Sequence, residues 1–153
     1  MKRVAVALAL FGALSGPTRA DAEDRVARGR YLTHDVAMCV QCHTPRREDG
    51  SLVTEQEFMG GAFPVAAPPF VQGSQWCLTA PRIAGLPQFH GDEAVRFLMN
   101  GARIPDRPAP RSPMPPFRMN QEDAEAVVAY LRSLAASGPS SGPPSTVGTS
   151  YNR

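Results

Sequence analysis

Apolar residues recur at helical spacing in three separate stretches of this chain, and the segments between them break the rhythm. The last stretch is the clearest. Ala124, Val127, Val128, Leu131 and Leu134 fall on one face of a helix with 3.6 residues per turn. Asn120 stands where an N-cap belongs, Glu122, Asp123 and Glu125 suit the positive end of the helix dipole, and Arg132 suits the other end. Near the start, Asp21 to about Val36 also reads as helix, with Ala22, Val26 and Gly29, and either Tyr31 or Leu32, on one face. Asp21 is its candidate cap, and Asp24 suits the first turn. Gly29 costs about 1 kcal/mol relative to Ala inside a helix, a cost expected where another backbone must come close. A short third helix covers Glu93 to Asn100 after Asp92, with Gly101 placed to end it.

The intervening segments carry breakers. Pro45, Gly50, Gly60, Gly61, Pro64, Pro68 and Pro69 exclude a long helix between residues 44 and 80. Phe58, Phe63, Val65 and Phe70 are apolar enough for that segment to lie as an extended loop over a hydrophobic object, with short strands at most. Residues 104 to 116 hold Pro105, Pro108, Pro110, Pro113, Pro115 and Pro116. The expected fold class is all-α, with N- and C-terminal helices, a short middle helix, long proline-rich loops and no internal repeat.

The two ends do not belong to that fold. Residues 1–20 read as a secretory signal peptide: Lys2 and Arg3, an apolar run from Val4 to Leu14, a break at Gly16-Pro17, and Thr18-Arg19-Ala20 before a cleavage point at Asp21. A membrane anchor is the competing reading, but a span takes about 20 apolar residues and this run is shorter. Residues 137–153 are Gly, Pro, Ser and Thr with almost no large apolar side chain, and read as a disordered tail. A single domain, residues 21–136, remains. Removing Lys2, Arg3 and Arg19 leaves 13 basic against 14 acidic residues, a net charge of −1, and no lysine. A chain with no basic excess gives no ground for nucleic-acid binding.

The chemistry sits at Cys39-Val40-Gln41-Cys42-His43, a C-x-x-C-H sequence. Cysteines three apart share one face of a helical turn, so both thiols reach the two vinyl groups of a single porphyrin. His43 then offers an imidazole nitrogen to the iron. One covalent haem c is the expected cofactor, and export fits it, because exported thiol pairs otherwise tend to oxidise. The competing readings are a disulfide or redox pair, and a zinc site drawing on Cys39, Cys42, Cys77 and either His34 or His90. No second tight knuckle accompanies the pair. The thioethers use two of three cysteines, which leaves Cys77 as a small buried hydrophobe, a link to a partner or a ligand of something else.

A methionine sulfur on the far side of the iron raises the reduction potential. Met38 adjoins the attachment turn, and Met99 belongs to an apolar helix face. Met59, Met114 and Met119 complete the set. Met114 lies in Arg111-Ser112-Pro113-Met114-Pro115-Pro116-Phe117, where three prolines restrict the backbone and allow a weak sulfur ligand to be held at small entropic cost. It is the expected sixth ligand, with Met119, His34, His90 or an open position as alternatives.

From residues 24 to 135 the chain resembles the monohaem class I c-type cytochromes. The attachment motif, the segment Thr79-Ala80-Pro81-Arg82-Ile83-Ala84-Gly85-Leu86, the loop Pro113-Met114-Pro115-Pro116-Phe117 and the helix from Asp123 to Leu134 occur in the family's order. The resemblance implies the class I cytochrome c fold, a Pro81 carbonyl that accepts a hydrogen bond from His43, and a Tyr130 that meets the first helix near Gly29. Gly29 to Leu32 and Cys42 to Pro45 are similar to the small haem subunits of periplasmic dehydrogenases. The glycine lies about two residues further from the motif than is common, and the stretch between His43 and Pro81 is much longer than in the smallest members.

The expected function is one-electron transfer in the periplasm, between a dehydrogenase donor and an oxidase or cytochrome acceptor. A six-coordinate iron leaves no vacant position for substrate, so the chain is expected to be a carrier, not an enzyme. A haem enzyme or gas sensor with an open axial position is the alternative. Arg46, Arg47, Arg111 and Arg118 flank the two ligand loops and are candidates for a positive rim that steers an acidic partner.

Overall fold

Helix α4 runs from Gln121 to Ser133 and forms because its cap and its apolar face agree. The Asn120 side chain accepts the Asp123 backbone N–H at 2.8 Å. Ala124, Val127, Val128 and Leu131 are buried as the periodicity predicts, and Ala126 and Tyr130 are buried with them. The stripe is wider than predicted because α4 has two partners: α1, Arg19–Tyr31, and α3, Glu93–Met99. The structure is a computed structural model and describes residues 18–63, 65–71, 76–101 and 109–135. The apolar run of the expected signal peptide and the whole of the expected tail lie outside these residues. Among them no helix is long and apolar enough to cross a membrane.

Asp21 is not the cap of α1. Thr18 is: its hydroxyl accepts the Asp21 N–H at 3.3 Å, and the Asp21 carboxylate accepts the Thr18 N–H at 2.8 Å. This reciprocal pair satisfies two backbone donors, which a lone Asp at position 21 would not do. The helix then crosses α4 at Gly29. A Cβ at Gly29 would lie 2.0 Å from the Ala126 carbonyl oxygen and 2.7 Å from the Tyr130 Cβ. The glycine is what lets the two backbones meet. Arg28–Asp123 and Arg25–Glu125 ion pairs, at 2.9 and 3.3 Å, flank the crossing.

After Tyr31 the helix widens to a single π-helical turn, Leu32–Val36. Leu32 and Thr33 are buried there, and the Thr33 hydroxyl donates to Gly29 O at 3.0 Å. Met38 then takes a left-handed backbone, φ 52°, and reverses the chain into α2, Cys39–His43. The described residues of the segment from 44 to 80 are mostly loop, as expected. It carries a 3-10 turn, Thr54–Gln56, and β1, Gly61–Ala62, which pairs antiparallel with β2, Thr79–Ala80. Phe58 has no exposed surface. Val65 and Phe70, expected to turn inward, are 54% and 88% exposed, because they sit on an outer turn, while Phe58 is in the core and Phe63 lines the interior cavity. The helices and the two-strand sheet are compatible with the class I cytochrome c fold that the sequence resemblance implies.

Candidate cofactor site

A cavity of about 460 Å³ lies between α2, α3, α4 and the two proline-containing segments. That volume falls within the roughly 300–1,000 Å³ of small-molecule and cofactor sites. Cys39, Cys42 and His43 line it from α2, Phe97 and Leu98 from α3, and Val127, Val128 and Leu131 from α4. Pro81, Ile83 and Leu86 contribute from the segment after β2, and Pro113, Met114, Pro115 and Phe117 from the last loop. Most of the exposed lining is carbon; the polar side chains on it are the thiols, the imidazole, Thr79, Gln88 and Arg111.

His43 is buried, and its Nδ1 lies 2.8 Å from Pro81 O. A carbonyl only accepts, so Nδ1 carries the proton and Nε2 keeps its lone pair. Burial lowers the pKa of the ring, with the Pro81 bond opposing, so the imidazole is neutral. A closed circuit of backbone contacts holds this geometry. Gly60 N donates to His43 O at 2.7 Å, and Gly60 packs directly on the next strand. At φ +82°, a Cβ there would meet Ala80 O and Arg82 N at 2.7 Å. Phe58 O accepts from Ile83 N and Ala84 N, while Phe58 N donates to the Thr44 hydroxyl at 3.1 Å. Both sides of Pro81 are therefore tied to the exit of α2.

Cys39 and Cys42 are free. Burial pushes the Cys39 thiol up to about 11 and raises that of Cys42 as well, so both are protonated thiols and not thiolates. Among the described residues no three His, Cys, Asp or Glu side chains converge, so the zinc reading has no ligand set. His34 is engaged elsewhere, with Nδ1 2.9 Å from Arg30 O and Nε2 3.2 Å from a Glu57 oxygen. His90 is exposed and away from the cavity. Met59, Met99 and Met119 pack on the core and do not line it. Two methionines do: Met114, half-buried, and Met38, 52% exposed at the mouth.

A model of the cytochrome c family matches residues 26–135, a span that contains every lining residue named above. The chain belongs to the cytochrome c family. No curated protein shows significant similarity to it. The family is one of haem-bearing electron-transfer proteins, and this cytochrome has the donor set for the group: two protonated thiols, a neutral imidazole with a free Nε2 and an apolar cavity.

Two expectations about this cytochrome need revision. Cys77 is not a core residue: it is half-buried and lines the cavity. Nothing local in the sequence signals this, since its position depends on a backbone bond to Ser112. The arginine rim is also reduced. Arg46 is bound to Gly50 O and to Gln41, and Arg47 to Leu52 O and Glu55, so both brace the loop after α2. Arg111 lines the cavity, and Arg118 is exposed.

Proposed function

We propose that this cytochrome is an exported single-electron carrier between a periplasmic dehydrogenase and an acceptor oxidase or second cytochrome. One haem c would be attached through Cys39 and Cys42. His43 Nε2 and the Met114 sulfur are the proposed iron ligands, and Pro81 is the residue that orients His43. The observation that carries this reading is the His43–Pro81 bond, which leaves one imidazole lone pair facing an apolar cavity beside two free thiols. A haem held there supplies one-electron exchange, which side chains lack. The chain's own residues do the rest. The Pro81 carbonyl fixes the plane and tautomer of the imidazole. The carbon lining excludes water, and the prolines around Met114 hold a weak ligand in reach. If His43 and Met114 both held the iron, no position would be left for substrate, and the chain would carry electrons without catalysis.

Dehydrogenase partnership rests on the likeness of Gly29 to Leu32 and Cys42 to Pro45 to the small haem subunits of such enzymes. Export rests on the character of residues 1–20. The test is the protein purified from a strain competent in cytochrome maturation. It should be red, stain for haem on a denaturing gel, begin at Asp21 and show the far-red methionine–iron band in its ferric form. Rapid carbon monoxide binding to the reduced protein would instead favour the open-site enzyme or sensor. A colourless product would remove the basis of the proposal.

A further inference from the structure

Both proposed ligand segments are held by the same short stretch of chain. We propose that residues Trp76–Pro81, at the end of the long insertion, form a strap across the cavity, with Trp76 and Cys77 acting as positioning residues for Met114. The inference rests on the axial-ligand reading above. At its far end the strap presents Pro81 O to His43. In its middle, β2 pairs with β1, and Phe63 N donates to Leu78 O at 2.7 Å. At its near end Trp76 forms a parallel bridge with Ser112, and Cys77 N donates to Ser112 O at 2.7 Å. The Arg111 guanidinium approaches Cys77 Sγ at 3.6 Å, and that thiol donates to Thr79 O at 3.2 Å. Ser112 is two residues from Met114.

The strap ties the loop on the N-terminal side of Met114. On the other side, among the described residues, Phe117 packs on the core and Met119 N donates to Leu98 O at 3.0 Å. Met114 N donates to Arg111 O at 3.2 Å. Trp76 in turn is locked by its ring, edge-on to Phe63 at 6.0 Å between centroids, and by its Nε1–H to Val65 O at 3.2 Å. The end of the insertion would therefore help to hold Met114 in place.

Competition by free imidazole measures how firmly the methionine is held. Ferric, haem-loaded wild type, Trp76→Ala, Trp76→Phe, Cys77→Pro and Met114→Ala should be titrated with imidazole well below the unfolding temperature, with the far-red band and the reduction potential followed. Trp76→Ala loses the ring contact and a hydrogen bond, and Cys77→Pro loses the N–H to Ser112. Each should raise imidazole affinity about tenfold, a shift of about 1.4 kcal/mol. The potential should fall, and Trp76→Phe should recover most of the effect. If Cys77→Pro does not mature, Trp76→Ala and Arg111→Ala decide the question. Affinities within about twofold of wild type, with only the melting temperature lowered, would overturn the strap alone, provided the band is present in wild type and lost in Met114→Ala. A wild type without the band would overturn both the strap and the ligand assignment.

Discussion

Replacing Gly29 with Ala sets two known effects against each other. Inside a helix the change should stabilise by about 1 kcal/mol, because Ala loses less backbone entropy than Gly. At this crossing the new methyl would lie 2.0 Å from Ala126 O, 2.6 Å from Ala126 C and 2.7 Å from Tyr130 Cβ. All three distances are below any tolerated carbon contact, and two of the atoms are backbone that cannot rotate away. Helices α1 and α4 must therefore part by roughly 1 Å, and a gap of that size forfeits a quarter to a half of each dispersion contact across the interface. Overpacking of this kind costs about 1–3 kcal/mol or more. The interface concerned is the most extensive between any two elements, so the upper end applies. The expected net loss is about 2 kcal/mol, or roughly 10 °C in melting temperature for a domain of this size. Guanidinium unfolding of the haem-loaded protein, followed by far-ultraviolet circular dichroism, reads it as a lower midpoint at unchanged slope. A midpoint equal to or above that of wild type would mean that propensity wins and that the helices do not cross here.

Three further outcomes are expected. Asn120→Ala should cost about 1 kcal/mol in thermal unfolding, and Asn120→Asp somewhat less, since it keeps the acceptor for Asp123 N–H but loses the Asn120 amide bond to the Asp123 carboxylate. Gly60→Ala combines a positive φ with 2.7 Å clashes onto the segment carrying Pro81, so it should lower the yield of haem-loaded protein and destabilise what forms by about 1–3 kcal/mol. Burial, and then the Glu57 charge, raise the Tyr130 phenol above 10.0, with Arg30 opposing. The unfolded chain therefore releases that proton first, and stability is full below pH 10 and falls as pH rises towards the folded value. Tyr130→Phe should flatten this alkaline decline in unfolding experiments across that range.

What could be read from sequence was what local pattern encodes. The three helices, the Asn120 cap, the misfit of a glycine inside a helix at Gly29 and the cluster at residues 39–43 all depend on residues within a few positions of one another. Among the methionines Met114 stood out because its prolines are its neighbours. The Thr18 cap is visible as a Thr-x-x-Asp pair in the full chain, and the proposed cleavage before Asp21 would remove it. Val65 and Phe70 were misjudged because an irregular segment has no period, so hydrophobicity alone does not say which side chain turns inward. Cys77 and Ser112 are far apart in the chain, and a single backbone bond between two loops leaves no mark in composition or spacing. Arg46 and Arg47 looked like free surface charge because their partners are mostly carbonyls, which every residue has.

Phe58 has a consequence for how charge moves. It holds a left-handed backbone, φ 60°, that an aromatic residue adopts only when its surroundings insist, and its ring is sealed from solvent. Its carbonyl accepts from Ile83 and Ala84 and its amide donates to Thr44, so it ties the chain just after His43 to the segment just after Pro81, while its ring lies edge-on to His34 and Tyr130. Close-packed interiors of this sort compress little. Were a haem held in the cavity to gain or lose an electron, the nuclei on the histidine flank would have almost nowhere to go, and little reorganisation would accompany the transfer.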